Sequence, residues 1–164
     1  MLRQMIAEDA AHAQVSDQQL ASMPVKERVA DLIFRLRDQN GYQQSQPGAC
    51  DIFYNWGQNK DTSAAHQLVQ IGYDAVPQLI EAVTDTRFSR SVGHHRNFYF
   101  SHFVLTVGDC AEAILSRIAG RGFNVRSNTA GQMSKEEAAK STKQEITNWW
   151  EDANKKGLLP HPME

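Results

Sequence analysis

The sequence predicts an all-α protein, a short α-α superhelix or irregular helical bundle, with an extended or hairpin segment inserted near residues 87–105. Three observations carry that expectation. Apolar residues recur at helical spacing through most of the 164-residue chain, the mark of helices that bury one face. Two stretches resemble each other at an offset of 36 residues, through Leu68/Val104, Ile71/Val107, Gly72/Gly108, Ala75/Ala111 and Leu79/Leu115. That offset is typical of helical repeats, whose units bury their apolar faces against their neighbours. Between the two stretches lies TRFSRSVGHHRNFYFSHFVLT, where Phe98, Phe100, His102 and Val104 alternate with Tyr99, Ser101, Phe103 and Leu105. Aromatic and β-branched content favours a strand there, although the repeat position favours a helix.

Taken in order, Leu2, Met5, Ile6, Ala10 and Ala13 give residues 1–14 a short apolar side and predict a helix. Ser22-Met23-Pro24 reads as the next helix start, with proline in the first turn, where its missing N–H loses no partner. Val25, Val29, Leu32, Ile33 and Leu36 then form one stripe, leaving Lys26, Arg28, Asp31, Arg35 and Asp38 outside it until Asn40-Gly41 ends the helix. Residues 43–60 have no sustained period and read as a long loop. Its Phe53, Tyr54 and Trp56 either anchor it to the core or form a binding surface. Asp61 or Thr62 is placed to cap a helix running through Ile71, Gly72 to break it, and Asp74 to cap the next, with Pro77 in its first turn.

This last stretch, AAHQLVQIGYDAVPQLIEAVTD, resembles a HEAT-like repeat of the kind seen in phycobilisome-lyase-type HEAT proteins. The likeness rests on Ala65, Leu68, Ile71, Gly72, Ala75, Val76, Pro77, Leu79, Ile80, Ala82 and Asp85. With the weaker second copy it covers about a third of the chain, and the basic aromatic insertion after Asp85 departs from the family pattern. At 164 residues the chain is expected to form a single domain, residues 1–164; the resemblance implies that it is HEAT-like and helical and says little about chemistry.

After the insertion, Val107 opens a helix with Ala111, Ile114, Leu115 and Ile118 inward, ending at Gly120 and Gly122. Residues 124–133 form a polar loop. Ser134 and Glu137 have capping-box spacing and open a helix to about Asn154, with Ala138, Thr142, Ile146, Trp149, Trp150 and Ala153 on its core side.

The composition is that of an ordinary folded globular protein, 41% hydrophobic and 22% charged. No run is apolar enough for a membrane span, the N-terminus does not resemble a signal peptide, and two cysteines do not indicate an oxidising compartment. A cytoplasmic protein without membrane attachment is the expectation. The formal charge of −2 hides a change of sign along the chain. Residues 43–86 hold one base (Lys60) and five acids, whereas 87–126 hold six arginines against Asp109 and Glu112.

The candidate chemistry is sparse. His94, His95 and His102 with Asp109 and Cys110 match no metal-ligand spacing, and loop histidines at the surface are the plainer reading. Cys110 near a helix start suggests a thiolate nucleophile, but it lies on the apolar stripe, where cysteine usually serves as a small hydrophobe. No nucleophile elbow, phosphate loop or dinucleotide fingerprint is present. Neither a cofactor nor a metal is expected, and the protein is read as a non-enzyme.

The remaining feature is cationic: Arg87, Arg90, Arg96, Arg117, Arg121 and Arg126 interleave with aromatic residues. Arginine forks suit carboxylates and phosphates, so either an external ligand or internal pairing with the acidic stretch explains them. The sequence therefore favours a protein-interaction scaffold that meets a protein partner through Arg87, Arg90, His94, His95, Arg96, Tyr99 and His102. The alternative is a nucleic-acid-binding helical repeat protein using residues 87–126. Partner identity and oligomeric state stay open at this point.

Overall fold

The computed structural model of the protein describes residues 2–13, 15–37, 52–53, 63–95, 101–123 and 134–157, with the side chains of 2, 90–95 and 101–103 outside that description. In chain order the elements are α1 (Leu2–Ala11), α2 (Asp17–Ser22), α3 (Val25–Arg35), α4 (Ala64–Ile71), a 3₁₀ turn (Gly72–Ala75), α5 (Val76–Ala82), β1 (Phe88–His95), β2 (Ser101–Thr106), α6 (Val107–Ala119) and α7 (Lys135–Lys155). The described chain is mainly α, with one small antiparallel hairpin at the place of the expected insertion. No described helix is long and apolar enough to cross a membrane.

Helices α3, α4, α5 and α6 pack against one another, and α7 lies across α5 and α6. Their shared interior holds Val29, Leu32, Leu36, Leu68, Val76, Leu79, Val107, Ile114, Leu115 and Ile146, all fully buried. Each such side chain stabilises the fold by about 1.5–3 kcal/mol through removal of apolar surface from water.

Local signals differ from the sequence expectation at several points, each for a physical reason. An additional helix, α2, is opened by Ser16 and Gln19, which satisfy each other's backbone amides as a capping box. Pro24 precedes α3 as its N-cap instead of sitting in its first turn, a position that equally needs no N–H. The α3 stripe is right for Val29, Leu32, Ile33 and Leu36, but Val25 at the helix start stays 39% exposed. Asp31, expected on the solvent side, is buried because the segment around His12 and Val15 folds back over it. The helix ends at Arg35, and Asn40-Gly41 lies outside the described residues.

Ser63, not Asp61 or Thr62, caps α4 by accepting from the His66 amide. Gly72 ends that helix at φ 69°, a left-handed value that glycine adopts without steric cost. Asp74 does not cap α5: the 3₁₀ turn runs straight into the helix, so the first amides are already engaged, and no side chain caps them. Of the long loop, Ile52 is buried and Phe53 packs edge-on against His66, so this part anchors, while Tyr54 and Trp56 lie outside the described residues. The 36-residue offset joins unlike conformations at Leu68 in α4 and Val104 in β2, and like ones at Leu79 in α5 and Leu115 in α6.

Candidate functional site

The root of the hairpin is built by Asp85. Its carboxylate accepts from the Arg87 amide at 2.9 Å and from the Arg87 guanidinium at 2.6, 3.0 and 3.1 Å, so chain and charge turn together into β1. Hydrogen bonding to Asp85 raises the Arg87 pKa above its ordinary value, against a smaller opposing effect of burial. The Val107 amide donates to the Arg87 carbonyl at 2.8 Å and the Gly108 amide to the Asp85 carbonyl at 3.0 Å, which ties both ends of the hairpin to the start of α6.

Beyond that root the two strands form an arm. The register pairs Phe88 with Thr106, Val92 with Val104, Gly93 with Phe103, His94 with His102 and His95 with Ser101. Between the first two pairs β1 advances four residues while β2 advances two, so Ser89, Arg90 and Ser91 lie in a bulge. Among the described elements, β1 and β2 pack mainly on each other, and β2 also packs on α6, which continues directly from it. They form a two-stranded sheet, so each strand has an outer edge with no strand paired to it among the described residues.

Of the residues singled out in the sequence, Arg90, His94, His95 and His102 fall on this arm, and His94 stands directly across the ladder from His102. Arg96 and Tyr99 lie outside the described residues. Arg87 is taken up by Asp85. Three of the six arginines thus prove to have internal partners: Arg87 with Asp85, Arg117 over the Phe53 ring at 4.5 Å, and Arg121 with Glu145 at 2.7 Å. Phe123 is core rather than surface, 1% exposed and edge-on to Trp149. Arg126 lies outside the described residues.

Cys110 is a free thiol with no exposed surface, and burial pushes its pKa up to about 12 despite a hydrogen bond with Ser89. It stays protonated at neutral pH and is no thiolate nucleophile. Among the described residues no three His, Cys, Asp or Glu side chains come together in a way that could hold a metal ion.

Sequence reasoning missed a junction beside the root. Thr106 caps α6 by accepting from the Asp109 amide at 3.1 Å, while Asp109 Oδ2 accepts from the Thr106 amide and hydroxyl at 2.8 Å each. The same oxygen lies 3.2 Å from Lys135 Nζ at the start of α7. The Thr-x-x-Asp spacing was the available signal, shorter by one methylene than the usual Ser/Thr-x-x-Glu box.

The chain matches no protein-family model, no curated protein and no solved structure.

Proposed function

We propose that the protein is a non-catalytic interaction scaffold, a HEAT-like helical domain that offers its β-arm to an acidic segment of a protein partner. The observation that supports this is the arm itself, a hairpin whose strands pair only with each other among the described residues. An outer edge of that kind accepts an extended segment as a further strand, with main-chain hydrogen bonds giving affinity and neighbouring side chains giving selectivity. The partner is acidic because no Asp or Glu occurs from Thr86 to Gly108, while Arg90, Arg96 and three histidines do. Arg87 contributes no free charge to the arm, being bound to Asp85.

The test is capture from native lysate with the wild type beside an Arg90→Glu/Arg96→Glu double variant, each with and without nuclease. A nuclease-resistant protein band lost in the variant is the expected result. An undiminished band sinks the proposal.

A second reading, binding to duplex nucleic acid, is favoured by the same acid-free ribbon, since the major groove admits two β-strands. It requires affinity for a short duplex to fall steeply between low and physiological salt. Binding that ignores salt removes it.

A further inference from the structure

At the base of the arm a cleft of about 360 Å³ opens between the end of α5, the first residue of β1 and the first turns of α7. Its volume is at the lower end of the roughly 300–1,000 Å³ typical of small-ligand sites. Val83, Phe88 and Ala139 supply apolar surface, and Phe88 remains 37% exposed although it is among the largest apolar side chains of the protein. The hydroxyl-bearing residues Thr84 and Thr86 sit exposed on its rim.

Charge decides what this cleft can hold. Three acids and two lysines line it. Asp85 is neutralised by Arg87 at 2.6 Å. Asp109 is engaged by Thr106 and by Lys135 at 3.2 Å. Glu136 and Lys140 remain, opposite in sign and one helical turn apart on the exposed side of α7, and they offset each other. No net charge is left to reward an ion, and taking an ion out of water costs several kcal/mol. An uncharged apolar group, by contrast, gains by covering Phe88.

We infer that the cleft is a socket for one uncharged apolar side chain, aromatic or large aliphatic, presented by the protein partner that the arm engages. The inference rests on the arm reading, because Phe88 and Thr106 are at once lining residues and the first rung of the hairpin ladder. Cleft and arm therefore share the first rung of the ladder. Anchor and strand then act together: the strand supplies register and the socket selects the side chain, as buried aromatic and aliphatic anchors do at other interfaces.

The test is an amide NMR titration of the full-length protein with N-acetyl-tryptophanamide, an uncharged side-chain probe. The expected result is saturable shifts at Thr86, Phe88 and Ala139 with a dissociation constant of about 0.1–1 mM, the range open to so small a ligand. Ala139→Phe, which fills the cleft, and Phe88→Ala, which removes a wall, should each weaken the probe at least about tenfold. The carboxylate analogue N-acetyl-tryptophan should bind more weakly than the amide. Absence of saturable shifts, shifts unchanged in both cleft variants, or tighter binding of the carboxylate analogue would overturn the inference. The Arg90→Glu/Arg96→Glu variant keeps the two readings apart, because it should retain probe binding. If that variant still captures the partner while the probe binds, the arm reading fails and the socket stands. If it loses the partner but wild type never binds the probe, the socket fails and the arm stands.

Discussion

Gly108 meets Val83 backbone to backbone: a β-carbon built on Gly108 would lie 2.3 Å from the Val83 carbonyl oxygen and 3.0 Å from its carbon. This contact seats the first turn of α6 on the end of α5, and the Gly108 amide completes it by donating to the Asp85 carbonyl at 3.0 Å. The same few residues hold the root of the arm, so helix packing and arm position depend on one missing methyl group.

The first prediction follows from that contact. Glycine to alanine inside a helix ordinarily stabilises by about 1 kcal/mol. Gly108→Ala should instead destabilise by about 1–3 kcal/mol, because neither backbone can yield without moving a helix. Gly122→Ala, with nothing within 4 Å of its added carbon, is the control and should be nearly neutral. Urea denaturation of the three proteins checks the sign.

A second prediction concerns Asp31, which is only 5% exposed and joins the N-terminal segment to α3. One oxygen meets His12 Nε2 at 2.8 Å, and the other accepts from Arg35 Nε at 2.6 Å, while Arg35 also donates to the Val15 carbonyl at 2.6 Å. His12 is stacked on Phe34, with ring centroids 3.6 Å apart. Asp31→Asn should cost about 1.5–3 kcal/mol, the worth of charge-assisted bonds in a buried place. Asp17→Asn, which removes a 95% exposed partner of the same arginine, should cost less than about 0.5 kcal/mol. Equal losses in the two variants, measured by chemical denaturation, would contradict this account.

These sites show what a sequence can and cannot carry. The stripe of α3, the break at Gly72, the start of α6 at Val107 and the Ser134 capping box are local, and each could be read because spacing and turn chemistry decide them without help from distant residues. Asp31 could not be read. Its burial comes from a segment 16–19 residues earlier in the chain, and an acid between apolar positions looks solvent-facing until that segment folds back. Gly108 was visible only as a repeat position, since the chain that crowds it, Val83 to Asp85, lies across the arm. The insertion was legible as an extended or hairpin segment, yet whether Arg87 paired internally or faced a partner stayed open, because Asp85, two residues away, satisfies it through geometry that spacing alone does not fix.

Cys110 gives a third prediction. With its thiol pushed up to about 12 by burial, it should resist iodoacetamide in the folded protein at pH 8 and react on unfolding. A Cys50→Ser background isolates it. The folded pKa lies above the unfolded value of about 8.5, so the folded state holds its proton where the unfolded chain loses it. This contribution to stability is complete below about pH 8.5 and is lost as pH rises toward 12. Rapid alkylation under native conditions would show that the thiol is reachable and that the helix opens there.

The start of α7 supplies the last prediction, with the opposite pH sense. Ser134 accepts from the Glu137 amide at 3.2 Å, and Glu137 accepts from the Ser134 amide at 2.9 Å and from its hydroxyl at 2.8 Å. The bond from the Ser134 backbone amide is the larger cause and the hydroxyl the second, together holding the Glu137 carboxyl below its ordinary value. A depressed carboxyl contributes stability above its unfolded pKa of about 4.3, and that contribution is lost as pH falls through the lower folded value. Glu137→Gln keeps an acceptor without the proton equilibrium, so it should lower stability at neutral pH and flatten this part of the acid limb, the two proteins converging as pH falls. Ser134→Ala removes the cap itself and should cost about 1 kcal/mol at neutral pH. Because Lys135 joins this turn to Asp109 at the root of the arm, Ser134→Ala should also speed amide exchange at Thr106 and Asp109. Exchange confined to α7 would mean that the two helix starts move independently.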